Sequence, residues 1–385
     1  MANIYLDWAA SAPPDPAIVQ QAAVTSQALY GNPSSQHQPA RQAAAVVAAA
    51  RTSLAQALAC PASNLYFTSG GTEAAQLPLL SLLRGKHGSV KSVLVSAIEH
   101  PAVHKQCQIL ADLGVPMIEL PVDNDGIIRL DSVADRLGQG AGLLAVMAVN
   151  NETGAIQPVA ELAQLVGQLP PGRKPFFLCD SVQAIGKIRF EPARLGVDAC
   201  TISGHKLGAI RGSGVLYLSR PIQTLTAGGE QESGLRPGTE NTAGIEALAT
   251  AVAQSVARLP TTRVVAEGLM QRLIEGLRRI SGARINPESR EAIDRRFSSY
   301  ILNAAFPGLA GETMVRLLDA DGIFINTGSA CSSSRKERRV LAAMGLADDI
   351  ATASVRLSIG HSTTAAEIDT VLDRLETHYR RFRLG

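Results

Sequence analysis

Short apolar, β-branched runs alternate along this chain with longer stretches of helical period. Residues 92–96, 143–149, 176–179 and 199–202 read as strands, each followed by polar or glycine-bearing residues. Strands separated by helix-length segments predict an α/β architecture with a parallel sheet. In such a sheet ligands gather beyond the carboxyl ends of the strands, so the residues just after each apolar run matter most. Upstream, 39–59 is an Ala-rich stretch with Val47, Ala50, Leu54 and Leu58 on one face, the pattern of a packing helix. Near the other end Thr364, with Glu367 three residues later, forms a capping-box pattern ahead of a stripe of Ile368, Val371, Leu372 and Leu375. That helix is expected to cover a second, smaller domain. The Pro-containing stretch 258–262 is expected to break one helix from the next, which divides the chain into a large domain at 13–258 and a small one made of 1–12 and 259–385.

Composition narrows the class of protein. With 385 residues, 46% hydrophobic and 18% charged, and no low-complexity tract, every segment reads as part of a globular fold. The 36 basic residues nearly balance 34 acidic ones, for a net charge of +2, so nucleic acid is not expected as a direct ligand. The first residues carry neither a basic nor an apolar leader pattern, and no apolar run is long enough to cross a bilayer. A cytoplasmic protein without membrane contact is expected. Cys60, Cys107, Cys179, Cys200 and Cys331 lack C-x-x-C spacing, which speaks against a zinc site or a disulfide framework, and no metal is expected.

The candidate chemistry sits where strands end. In the run from Asn64 to Glu73 a strand passes through Gly70 and Gly71 into a helix, so free backbone N–H groups and the Thr72 hydroxyl are placed to hold a phosphate. Taken alone, that stretch favours a plain strand-to-helix turn, because it has neither a P-loop Gly-Lys-Ser/Thr nor a full G-x-G-x-x-G. Asp180 ends an apolar strand, where a buried acid needs a cation. The protonated pyridine nitrogen of pyridoxal 5′-phosphate (PLP) is such a cation, and without that context Asp180 reads as a helix N-cap. Ser203-Gly-His205-Lys206 leaves another strand with hydroxyl, imidazole and amine groups in succession. Ser203 and His205 suit phosphate oxygens, and Lys206, desolvated near a pyridinium, suits imine formation. His100 also follows a strand, with Pro101 at the first helical position, and reads equally well as a catalytic imidazole that stacks on the ring and handles protons or as a satisfied loop histidine.

In this order the segments resemble the class V group of fold-type I PLP enzymes, and within it the cysteine desulfurases related to NifS and IscS. The stretches that carry the resemblance are Leu6-Asp-Trp-Ala-Ala10, Gly31-Asn-Pro-Ser34, Ser69-Gly-Gly-Thr-Glu73, Glu99-His100, Val149-Asn-Asn-Glu-Thr-Gly154, Asp180-Ser-Val-Gln183, Ser203-Gly-His-Lys206, Arg236-Pro-Gly-Thr239, Gly328-Ser-Ala-Cys-Ser332 and Ser354-Val-Arg-Leu-Ser358. The resemblance implies a large domain with a mainly parallel seven-stranded sheet and a smaller α+β domain. It implies Lys206 as the imine-forming lysine, Asp180 on the pyridine nitrogen, Gln183 on the phenolic oxygen and His100 on the ring face. Gly71, Thr72, Ser203 and His205 would surround the phosphate, with Thr239 reaching in from the second subunit of a homodimer. Asn32, Asn151 and Arg356 would position the substrate carboxylate, Asn151 also touching the cofactor. A guanidinium suits that task because it grips a carboxylate with two parallel hydrogen bonds.

Cys331 lies among Gly and Ser residues that suit a mobile thiol carrier, whereas Cys60, Cys107, Cys179 and Cys200 read as packing. By the resemblance, L-cysteine becomes L-alanine and its sulfur passes to Cys331 as a persulfide. An acceptor protein then takes it toward iron–sulfur cluster assembly or tRNA or cofactor thiolation. A selenocysteine lyase, or another class V lyase or aminotransferase, is the alternative. The run Arg335, Lys336, Arg338 and Arg339 reads either as a solvated helix face or as a field that lowers the Cys331 pKa and attracts an acidic acceptor. Ala12, Ala209-Ile-Arg-Gly212 and Asn326-Thr327 depart from the usual family residues.

Overall fold

The computed structural model describes residues 3–84, 92–328 and 338–383. A short first strand, β1 (Ile4–Tyr5), precedes two helices, α1 (Pro16–Ala28) and α2 (Gln38–Ala57). The chain then builds one seven-stranded sheet from β2 (Leu65–Thr68), β3 (Ser92–Ser96), β4 (Met117–Leu120), β5 (Ala141–Met147), β6 (Phe176–Asp180), β7 (Ala199–Ser203) and β8 (Gly214–Leu218). Their order is β2-β8-β7-β6-β5-β3-β4, and every pairing is parallel except the two made by β8. The helices between strands, α3 (Gly71–Ser81), α4 (Pro101–Asp112), α5 (Leu130–Gly138), α6 (Val159–Gln168) and the short α7 (Pro192–Leu195), supply the apolar layers. Val93, Val95, Leu143 and Ala145 pack with Ala74 and Leu110 on one side, and Leu94, Leu144 and Phe177 with Leu162 on the other. Both faces are covered, which explains why these strands read as continuous apolar runs.

Strand ends differ slightly from the apolar runs. β5 begins at Ala141 and leaves the sheet at Met147, because Ala148 and Val149 turn into a tight loop in which Gln157 N donates to Ala148 O. β6 and β7 each continue one residue further, to Asp180 and Ser203, since the ladder uses only backbone groups and tolerates a polar side chain at its end.

The expected break at 258–262 does not occur. Helix α8 runs unbroken from Thr242 to Arg279 with Pro260 inside it. An interior proline costs about 3 kcal/mol. Both flanks are anchored, Ile245, Leu248 and Val252 in the core against the large sheet and Leu269, Met270, Leu273 and Leu277 in a second core, and this burial outweighs the local penalty.

The second core is built around β9 (Arg284–Asn286), β10 (Ile301–Ala305), helix α9 (Gly311–Ala320), β11 (Ile323–Phe324), β12 (Ser354–Ser358) and helix α12 (Ala365–Phe382). β10 is the centre of an antiparallel β9-β10-β12 sheet, and β1 pairs in parallel with β11. Thr364 and Glu367 form the capping box that opens α12. Between β11 and β12, helices α10 (Arg339–Ala343) and α11 (Asp348–Thr352) send Val340, Leu341, Met344 and Ala351 back into the first core. Asp7 bridges Ser358, so the residues after β1 run alongside β12 and over the carboxyl ends of the large sheet. Among the described residues no helix is long and apolar enough to cross a membrane.

Candidate active site

The ends of β6 and β7 place an acid and an amine in one buried cleft. Asp180 is buried, and its Oδ1 accepts from Val182 N (3.0 Å) and from Thr201 Oγ1 (2.8 Å), Thr201 being its neighbour on β7. The carboxylate is thus oriented with Oδ2 left available for a cation. Lys206 closes the turn after β7, and its Nζ donates to the carbonyls of Ala9 (2.8 Å) and Ala10 (2.7 Å). Burial, aided by the charge of Arg356 and opposed by Asp180 and Asp7, brings the Lys206 amine down to about 8. An appreciable fraction is therefore neutral and nucleophilic near neutral pH.

Helix starts provide the next groups. His100 is the N-cap of α4, where its Nδ1 accepts from Ala102 N (3.1 Å), and this acceptor role leaves the ring proton to Nε2. Burial lowers its pKa, with Asp180 acting in the opposite sense, so the ring is neutral. At the start of α3, a Cβ on Gly71 would sit 2.8 Å from Val182 Cγ2 and 3.4 Å from the Ser203 Cβ. Only a glycine lets the N-terminal amides of that helix come so close to the ends of β6 and β7. Ser203 is buried there, while Thr72 is exposed on the first turn. His205 Nδ1 lies 3.3 Å from Ser11 Oγ, and burial, then Lys206 and Arg211, bring its pKa down to about 4.

Arg356, on β12, is 3% exposed. Its Nη2 donates to Asp7 Oδ1 (2.7 Å) and its Nη1 to the carbonyl of Asn151 (3.0 Å), while Nε is buried without a partner among the described residues. Asn326 Nδ2 holds the other Asp7 oxygen (3.1 Å), so this departure from the family residues supports the ion pair. Gln183 donates from Nε2 to Ala9 O (2.9 Å). Lys206, Asp180, Gln183, His100, Ser203, His205, Gly71 and Arg356 thus converge on the segment from Asp7 to Ser11 and the adjoining strand ends. Asn32 does not join them by any direct bond: it is exposed, and its Oδ1 accepts from Ser34 N. Thr239 is also exposed, two residues before the Asn241 cap of α8. Asn151 is half-buried and contributes its backbone carbonyl. Cys331, with Arg335 and Lys336, lies outside the described residues.

Several groups were not singled out by sequence. Asp7 was quoted only as part of a motif, and its pairing with Arg356 has no local signature. Glu99 is buried, with Oε1 accepting from Met147 N; burial, then Asp180, push its carboxyl up to about 8 against the Met147 amide, Arg339 and the Ser96 hydroxyl. Glu152 is pushed by burial up to about 7 despite Arg356 and Arg339, and its Oε2 would lie 3.3 Å from a Cβ on Gly328. Arg339 is not a solvated charge, because its guanidinium donates inward to the carbonyls of Ala97 and Glu99. The raised Glu99 carboxyl fixes the sign of a pH effect. Stability due to its protonation is fully present below the ordinary carboxylate range and is lost as pH rises through about 8. Glu99→Gln is therefore expected to flatten the decline in melting temperature of the cofactor-free protein between pH 5 and 8, as read by scanning calorimetry; an unchanged slope would assign the decline to other groups.

The donor set fits PLP. The helix start at Gly71 with Ser203 suits a phosphate, the singly held Asp180 carboxylate suits a pyridinium, and the Lys206 amine suits an aldehyde carbon. Among the described residues no group of side chains could hold a metal ion. Fold and site together define a PLP-type enzyme of fold type I, and residues 4–371 match the family described as aminotransferase class V. The chain belongs to that family and, within it, to the cysteine desulfurases of the NifS and IscS kind. It is 33% identical over 373 residues to the cysteine desulfurase IscS of Methanosarcina thermophila, covering 96% of this chain and 90% of that protein. It is 32% identical over 377 residues to the cysteine desulfurase IscS of Clostridium botulinum, covering 97% and 93%. A solved NifS-like protein superposes with a TM-score of 0.91 at 30% identity, covering 99% of this chain and all of that one.

Proposed function

We propose that this PLP-dependent enzyme converts L-cysteine to L-alanine and places the sulfur on Cys331 as a persulfide. The observation that carries the reading is the pairing of an imine-forming amine, Lys206 at about 8, with a buried Arg356 whose Nε lacks a partner among the described residues. Lys206 supplies the amine that bonds an aldehyde, and Arg356 the cation that a substrate carboxylate needs. PLP, when bound, supplies an electron sink for the α-carbon. Asp180 would hold the pyridine nitrogen, His100 the ring face, and Gly71, Ser203 and His205 the phosphate, with Thr72 beside them. Arg356, with Asn151 and Asn32, orients the substrate carboxylate. Lys206 Nζ takes the α-proton of bound cysteine and returns a proton to the alanine product. The Cys331 thiolate attacks the substrate sulfur, so the C–S bond breaks as the S–S bond forms; cysteine plus one thiol gives alanine plus one persulfide.

A homodimer in which Thr239 serves the neighbouring site is part of the same proposal, supported by the exposure of Thr239 and of the Asn32 turn. So are a division of the chain at residue 258, a cytoplasmic location, and an acceptor protein that takes the sulfur on to iron–sulfur assembly or thiolation. The test is direct. L-cysteine with a reductant should yield alanine and sulfide in equal amounts. Cys331→Ala should keep the visible cofactor absorbance yet release no sulfide, and full sulfide release by that variant would overturn the assignment.

A further inference from the structure

A second buried amine stands behind the site. The turns after β6, in which Ala184 N donates to Ser181 O (2.9 Å) and Ile188 N to Ala184 O (3.0 Å), stack Lys187 one helical turn beyond Gln183. Lys187 is 9% exposed, and its Nζ donates to Gln183 Oε1 at 2.5 Å. The other end of that amide, Nε2, donates to Ala9 O at 2.9 Å, and the same carbonyl accepts from Lys206 Nζ at 2.8 Å. Lys187 is therefore linked to Lys206 through the Gln183 amide and one backbone oxygen.

The two ends of a glutamine amide are nearly isosteric, so its direction is set by its neighbours. A lysine amine in its ammonium form can only donate, and it claims the carbonyl end. We propose that Lys187 is a positioning residue, which locks Gln183 with Nε2 turned toward the Ala9 carbonyl and the cofactor edge. The inference rests on the PLP reading of Gln183 given above. Placing an amine here is unfavourable: burial, then the charges of Lys206 and Arg356, bring it down to about 7, and Asp15, Arg258 and His361 line the same cleft. A packing role would be served better by an apolar side chain, whereas an oriented amide needs a donor at this place.

The test compares Lys187→Met, Gln183→Ala and the double variant, with Lys187→Leu in place of the methionine variant should it not fold. Two readouts are taken: the midpoint of the visible absorbance titration of the PLP-loaded protein, and the affinity of the cofactor-free protein for PLP by fluorescence quenching. Each single variant is expected to shift the midpoint by about one pH unit in the same direction and to weaken PLP binding about tenfold, with no further change in the double variant. A wild-type midpoint in Lys187→Met, or a Lys187→Met shift that persists undiminished in the Gln183→Ala background, overturns the proposal while leaving the cofactor reading intact. If Gln183→Ala itself moves neither readout, the reading of Gln183 fails and the role of Lys187 with it.

Discussion

Lys206→Ala is expected to lose the visible absorbance of lysine-bound PLP and to turn over cysteine about 10⁴-fold more slowly, the scale of removing a proton-transfer group together with a covalent anchor. Both losses trace to one atom. Nζ is held by the Ala9 and Ala10 carbonyls, and burial keeps its pKa near 8, so it is neutral often enough to bond an aldehyde and basic enough to take an α-proton. The two roles separate experimentally. Small primary amines added to Lys206→Ala should restore part of the turnover in proportion to their basicity, but not the lysine-bound spectrum. Stability should fall modestly, by about 1 kcal/mol, since the part-buried Ala10 carbonyl loses its donor while the Ala9 carbonyl keeps Gln183 Nε2. Turnover within tenfold of the unsubstituted enzyme would remove Lys206 from both roles.

Arg356→Ala should raise KM for cysteine and lower kcat/KM about 10³-fold, and it should also destabilise the fold by about 3–5 kcal/mol. The second effect distinguishes this residue from an ordinary substrate clamp. Its guanidinium is nearly fully buried and its carboxylate partner among the described residues, Asp7, is 16% exposed, so truncation strands a carboxylate in a poorly hydrated place. Asp7→Asn in the Arg356→Ala background should return most of the melting temperature without improving KM. Arg356→Lys should keep much of the stability and lose the two-pronged grip, so KM rises with a smaller thermal penalty. If Arg356→Ala changes stability alone, the carboxylate-binding role is excluded.

What the sequence disclosed follows the reach of its signals. Asp180, Ser203, His205, Lys206 and His100 were legible because each sits directly after an apolar run, and a parallel sheet collects its strand ends at one edge. The capping box at Thr364 and Glu367 was legible because both partners lie within one turn. Pro260 misled, because helix propensity is local whereas α8 is fixed by two separate cores. The Asp7–Arg356 pair and the Lys187–Gln183–Ala9 link stayed hidden for the same reason: each depends on which distant segments the fold brings together. Of the two readings of the basic run, the solvated face does not hold for Arg339, since a charge pattern does not show that carbonyls just after β3 await a donor.

The segment from Asp7 to Ala10 is made long before its partner on β12, which lies 349 residues downstream. During synthesis Lys206 emerges before β12 is there to hold the segment after β1 whose carbonyls restrain it, and Arg356 is not yet made. The site is therefore finished by β12, the last strand among the described residues, rather than by the sheet that carries most of its groups. A chain that ends between Lys206 and residue 356 would carry the groups proposed for the cofactor and lack the Arg356 proposed for the substrate carboxylate, so competence for substrate would report on the synthesis of β12.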